Sequence, residues 1–156
     1  MLGEKKILEL SKINDKFYYY IIRTSKLFGP LGKSKGVKKS FFDIMQNLSK
    51  YKKEIKVVDG ETSCFTYTKD LAQATYKLVN DKTDKGIYHI NNSSKCTWYE
   101  ATKFLFNITK KKIRIIPISP NEFLSSAKRP EYAVLLNTKL KPLRSWKTAL
   151  KEYLKV

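Results

Sequence analysis

Three observations predict an α/β domain with right-handed crossovers between parallel strands. Phe17 to Ile22 is a continuous apolar, β-rich run, the pattern of a strand buried on both faces of a parallel sheet. Thr97 and Glu100 have capping-box spacing ahead of a helix face made by Ala101, Leu105 and Phe106. Short β-rich runs at 55–58, 87–90 and 113–116 alternate with segments whose apolar residues recur at helical intervals.

The elements follow in order. Leu2, Ile7, Leu8 and Leu10 predict a short amphipathic helix ending at the Asn14-Asp15 turn. The strand Phe17 to Ile22 delivers Arg23, Thr24, Ser25 and Lys26 at its carboxyl end, before a turn at Gly29-Pro30. Residues 28–39 combine Gly29, Gly32 and Gly36 with four lysines, which marks a basic surface loop with the character of a lid or anion-binding segment. Phe41, Ile44, Met45 and Leu48 give 40–50 a helical period. The strand at 55–58 ends at an Asp59-Gly60 turn. Thr66 and Tyr67 run into a helix for which Thr68 is the expected cap, with Leu71, Ala72, Ala74, Thr75 and Leu78 facing inward. After a turn at 84–86 and the strand to Ile90, the run Asn91-Asn92-Ser93-Ser94 predicts a loop. Pro117 is expected to end the strand at 113–116, residues 119–123 to form one helical turn, and Trp146 to Leu154 a final amphipathic helix. There is no internal repeat and no low-complexity tract.

Composition narrows the function. With 156 residues, 42% hydrophobic and 13% aromatic, the chain can build a real core and does not read as disordered. The net charge of +18 favours polyanions in general. Of 32 basic residues, however, only Arg23, Arg114, Arg129 and Arg144 are arginines, and the lysines are spread along the chain. That pattern is a solvated surface rather than a base-reading face, so nucleic acid is not the expected partner. A positive field equally suits a substrate carrying a pyrophosphate. No apolar run approaches the ~18 residues of a membrane span, and no apolar segment of signal-peptide type follows the first residues. Cys64 and Cys96 suggest neither a disulfide framework nor a zinc cluster, which makes a reducing cytoplasm the expected compartment.

Ligands bind at the carboxyl ends of strands in open α/β sheets, which singles out Arg23 to Lys26. Arg23 offers a planar fork to phosphate or carboxylate, and Lys26 a mobile point charge. A structural role is the alternative: Arg23 pairing with a carboxylate while Thr24 and Ser25 satisfy loop backbone. His89, inside a strand, reads as a packed or capped residue rather than a catalyst. Trp98, Tyr99 and Trp146 fall at helical positions and read as core.

An ordered set of motifs now carries more weight than any one of them. Gly3-Glu4, Arg23-Thr24-Ser25, Phe41 to Met45 and Thr66 to Ala72 are followed by Gly86-Ile87-Tyr88-His89 and Thr97-Trp98-Tyr99-Glu100-Ala101. Ala127-Lys128-Arg129-Pro130 through Leu135 completes the series. Together they resemble the carboxyl-terminal portion of the dTDP-4-dehydrorhamnose reductases, extended short-chain dehydrogenases acting on sugar nucleotides. The resemblance implies the last part of a Rossmann-type fold over residues 1–60 and, over 61–156, mainly the small substrate-binding lobe, with the amino-terminal Rossmann half absent.

It also implies roles. Arg23, Thr24 and Ser25 would lie near an NADPH or NADH cofactor, while Lys26, Ser40, Phe41 and Arg129 would meet a dTDP-sugar. The alternative for Arg129-Pro130 is a stiffened loop with an exposed arginine. Lys26 stands where the family usually carries Trp, Ser40 replaces Asn, and Glu61, Ser63 and Phe65 replace Gln, Gly and Pro, so the identity of the sugar is not carried over. A homodimer and a magnesium ion are within the family's repertoire, but no carboxylate here is assignable to the metal. No catalytic residue is assigned. Gly29, Gly32 and Gly36 are spaced one residue too widely for a dinucleotide turn, and Tyr99 with Lys103 falls in the substrate lobe rather than in the catalytic helix. The expectation is a truncated or split reductase that is inactive alone and pairs with a Rossmann half or a partner protein. The alternative is a non-catalytic sugar-nucleotide-binding or regulatory subunit.

Overall fold

The computed structural model describes residues 2–123 and 129–156, so Ala127 and Lys128 of the Ala-Lys-Arg-Pro motif lie outside the described residues. The first half runs α1 (Leu2–Ile13), β1 (Tyr20–Arg23), β2 (Leu27–Phe28), α2 (Phe41–Leu48), β3 (Glu54–Val58), β4 (Thr62–Cys64), β5 (Thr66–Tyr67) and α3 (Thr68–Asn80). The second runs β6 (Gly86–His89), β7 (Asn92–Ser93), β8 (Lys95–Cys96), α4 (Trp98–Ile108), β9 (Arg114–Ile118), a 3-10 turn (Pro120–Glu122), β10 (Tyr132–Ala133), β11 (Leu143–Ser145) and α5 (Trp146–Leu154). Strands β1 and β6 pair in parallel from Tyr20↔Gly86 to Arg23↔His89, and β3 and β9 from Glu54↔Arg114 to Val58↔Ile118. Strands β2 with β5, β7 with β11 and β10 with β4 are also parallel, while β4 and β8 are antiparallel. Parallel pairs joined through helices are the α/β class that the sequence predicts. The division expected near residue 60 runs between paired strands, since β1 and β3 bond to β6 and β9.

The main core gathers one face from each of α2, α4 and α5. Phe42 and Met45, Ala101, Leu105 and Phe106, and Trp146, Ala149 and Leu150 close over Ile55 and Val57 of β3. Phe28 fixes the centre, edge-on to Phe42 at 5.1 Å and stacked on Tyr67 at 5.3 Å. A smaller cluster of Leu78, Tyr88 and Ile90 seats α3 on β6. A polar clasp around the buried Asp70 joins α3, β7 and β11. Arg144 forks onto Asp70 through Nε (2.9 Å) and Nη2 (2.8 Å), and the Asn92 amide donates to the same carboxylate at 2.7 Å.

Four local expectations are corrected. The first strand begins at Tyr20 rather than Phe17, because its partner β6 begins at Gly86. Thr68 is the first helical residue of α3, and Tyr67 holds the cap position without a side-chain bond. Asn92 and Ser93 form β7 instead of a loop. Pro117 lies inside β9, opposite Val57, on a strand paired only with β3 among the described residues; a missing N–H is tolerated on such an edge. The capping box at Thr97 and the span of α5 are as predicted.

Gly29 is required where the β2 strand meets α3. Its φ is +152°, and a Cβ there would fall 2.0 Å from Thr68 Oγ1. At the opposite end, α1 buries none of its residues, and Ile13 is 82% exposed. Among the described residues β1 pairs only with β6, so an apolar helix face and a strand edge are open here.

Candidate functional site

Lys26 lies between the end of β1 and the start of β2, in the left-handed region with φ +34°. A non-glycine residue held there costs about 1 kcal/mol or more. Its carbonyl accepts from the Thr66 amide at 3.1 Å, which fastens the turn to β5. The ammonium is thereby set 3.3 Å from the centre of the Trp98 ring and 5.6 Å from that of Phe65. Burial pushes Lys26 down to about 8, against the opposing pull of the Glu61 carboxylate.

Glu61 organises the other wall. Its Oε2 accepts from Trp98 Nε1 at 2.8 Å and lies 3.9 Å from Arg129 Nη1. Lys26, Glu61, Thr62, Ser63, Trp98 and Arg129 bound a cleft of about 340 Å³. In it the Ser63 hydroxyl is buried, with no hydrogen-bond partner among the described residues. A second, more apolar cleft of about 390 Å³ shares Trp98 and Arg129 and is walled by Phe41, Ile44, Met45, Val57, Val58 and Phe123. Phe41 packs on Trp98 with ring centres 4.6 Å apart. The arrangement is an aromatic floor with two cations and one carboxylate on one side and a hydrophobic slot on the other. It suits a ligand with a charged polar part joined to a flat or apolar one.

The structure brings Lys26, Phe41 and Arg129 together but not the other sequence candidates. Ser40 caps α2, exchanging bonds with Asp43, whose Oδ1 also accepts from Tyr153 at 2.8 Å. Its hydroxyl serves the helix that carries Phe41. Arg23 grips Glu4 with Nε at 3.0 Å and Nη2 at 2.7 Å, the structural alternative foreseen for it. Thr24 Oγ1 donates to Thr66 Oγ1 at 3.2 Å, and Ser25 is half-buried at the same strand end. Trp98 packs half-buried against the main core, as expected, and its ring also floors the cleft, whereas Trp146 is fully buried. His89 is half-buried, with Nδ1 3.0 Å from the Leu136 carbonyl. Glu61 and Ser63 were legible only as departures from a motif.

Residues 30–39 form an exposed stretch that reaches α2 only at Phe41, and the Arg23 fork is occupied by Glu4. No group of three or more His, Cys, Asp or Glu among the described residues could hold a metal ion. Cys64 and Cys96 are buried and unpaired, with burial pushing Cys96 up to about 12. No helix among the described residues is long and apolar enough to cross a membrane.

Residues 1–156 match the RmlD substrate binding domain, over the whole chain. The chain belongs to that family. Among its relatives, the Bacillus subtilis spore coat polysaccharide biosynthesis protein SpsK is 35% identical over 86% of this chain and 46% of its own length. A Clostridium acetobutylicum dTDP-4-dehydrorhamnose reductase structure is 34% identical, with a TM-score of 0.80 over 94% of this chain and 50% of that one. The Bacillus anthracis dTDP-4-dehydrorhamnose reductase, solved in complex with NADP, is 30% identical, with a TM-score of 0.80 over 88% of this chain and 48% of that one. This RmlD-family chain thus spans about half the length of the curated relatives it matches. Its fold is that of the Rossmann-type extended short-chain dehydrogenases.

Proposed function

We propose that this chain is the sugar-nucleotide-binding side of a dTDP-4-dehydrorhamnose reductase-like oxidoreductase. The parent reaction would be the NAD(P)H-dependent reduction of dTDP-4-dehydro-L-rhamnose in nucleotide-sugar biosynthesis. The supporting observation is the pair of clefts that share Trp98 and Arg129, one lined by Lys26 and the other by Phe41, all residues at positions that the family resemblance assigns to the substrate or its surroundings. Trp98 and Phe41 would take the flat base or sugar face, and the cations the phosphates. Residues 1–60 would complete a Rossmann core and 61–156 mainly form the substrate lobe. Thr24 and Ser25 would border a dinucleotide held largely by other residues. The 156 residues contain neither a dinucleotide-binding glycine turn nor a Tyr-x-x-x-Lys pair in a catalytic helix. Hydride transfer by these 156 residues alone is therefore not expected.

Intrinsic fluorescence tests the assignment. Adding dTDP-rhamnose should change emission, and Trp98→Phe should abolish the change although Trp146 still emits from the core. Unchanged wild-type emission, or a response that survives in Trp98→Phe, would remove the cleft from consideration.

A further inference from the structure

We propose that Lys26 is a nucleophilic amine, which captures the carbonyl of a keto sugar nucleotide as an imine in the cleft on Trp98. The inference rests on the proposed function and divides the work within it. Arg129 keeps its charge at any working pH and stays with the phosphates, while Lys26 reaches the sugar. Three observations single out this lysine. Its Nζ sits 3.3 Å from the centre of the Trp98 ring and 5.6 Å from that of Phe65, so aromatic surface replaces part of its water. No carboxylate among the described residues lies within 4.0 Å of it, whereas Arg23, Lys69, Arg129 and Arg144 each have one. Its backbone is held in the left-handed region at φ +34° and tied through its carbonyl to the Thr66 amide, which sets the amine in the cleft wall.

These surroundings decide how often the amine is free. The Trp98 ring face and the Glu61 carboxylate favour the ammonium, while lost water and the Arg129 charge oppose it. Desolvation prevails and brings Lys26 down to about 8. The titratable and charged groups facing it are Glu61 ahead of β4, Cys64 on β4, Cys96 on β8, and Arg129. Near pH 7 about one Lys26 in ten is then unprotonated, against fewer than about one in a thousand for a lysine of ordinary pKa. A desolvated lysine of this kind forms Schiff bases with carbonyl compounds.

The step balances without an oxidant or reductant. The Lys26 nitrogen pair attacks the carbonyl carbon, and the C=O π pair moves onto oxygen. That oxygen takes up the two protons the nitrogen loses and leaves as water, so a C=N bond replaces the C=O bond. A 4-keto sugar nucleotide offers the carbonyl, and its reduced product does not. Capture is therefore confined to the keto form. An indole, the side chain usual at this position in the family, has no amine lone pair to offer, so the reaction would set this chain apart from such relatives.

Reductive trapping is the experiment. The 156-residue chain is incubated with dTDP-4-keto-6-deoxyglucose and sodium cyanoborohydride, digested, and its lysine peptides quantified by mass spectrometry. Near pH 7, Lys26 should gain the reduced adduct about tenfold or more faster than surface lysines. Below about pH 8 the free-amine fractions of both grow alike, so that excess should hold; above it Lys26 is already unprotonated, and the excess should shrink. Added dTDP-rhamnose, which carries no ketone, should suppress the Lys26 adduct. Lys26→Arg should bring total labelling down to the surface background and keep the Trp98 emission response to dTDP-rhamnose. Labelling of Lys26 no faster than of surface lysines, or an adduct that dTDP-rhamnose does not suppress, would overturn the inference. If the emission response persisted in that case, the proposed function would still stand. Loss of both adduct and emission response in the unmodified chain would overturn both.

Discussion

Arg144→Met should destabilise the fold by about 3 kcal/mol, because it strands a buried carboxylate. Asp70 is 7% exposed and receives three donors, two from Arg144 and one from Asn92. In the variant only the Asn92 amide remains. The same arginine reaches Glu152 at 2.5 Å, and Lys69 reaches that carboxylate at 2.7 Å, so the clasp also draws α5 toward α3. Bonds from Lys69 and then Arg144 hold Glu152 below its ordinary carboxylate range. A group lowered in the folded state adds stability near neutral pH, and that contribution fades as acidification passes through the lowered value. Urea unfolding measures the change. Replacing both partners, Asp70→Leu with Arg144→Met, should recover much of the loss, since no buried charge is then left alone. A loss below about 1 kcal/mol in Arg144→Met would mean that the clasp is incidental.

Trp146→Ala should cost about 3–5 kcal/mol by opening a cavity at the junction of three helices. The indole is fully buried, with Phe104 at 5.3 Å, Phe65 at 5.7 Å and Phe42 at 6.0 Å between ring centres. Trp146→Phe should be much milder. Nε1 of Trp146 is buried with no acceptor among the described residues, so losing it offsets part of the lost packing. Thermal unfolding of the two variants separates these effects. Equal losses would show that ring packing at this position does not set the cost.

Local signals carried the fold wherever one element satisfied itself. The Thr97–Glu100 box and the apolar face of α5 are such cases, and both lie where periodicity and capping place them. Short polar strands were not legible. Asn92 reads as loop, yet it is fully buried because its side chain accepts from the Tyr67 amide at 2.7 Å and donates to Asp70. Those bonds span more than twenty residues of sequence, beyond the reach of any local pattern. The candidate site was half legible. Phe41 and Arg129 were read from motifs and Lys26 from a strand end, and all three border Trp98 in the structure. Trp98 was read as core because its helical position fits packing, and nothing local reveals that Glu61, 37 residues earlier, holds its indole. Ser40 shows the reverse: a motif position suggested a ligand, and the helix cap uses its hydroxyl.

The central claim is that this chain holds the sugar nucleotide and not the dinucleotide. Saturation-transfer NMR on the purified chain tests it most directly, with aromatic protein signals irradiated and dTDP, dTDP-rhamnose and NADPH added in turn. The account predicts transfer to the protons of both dTDP ligands, diminished in Trp98→Phe, and little to those of NADPH. Transfer to NADPH alone, or to none of the three, would contradict it.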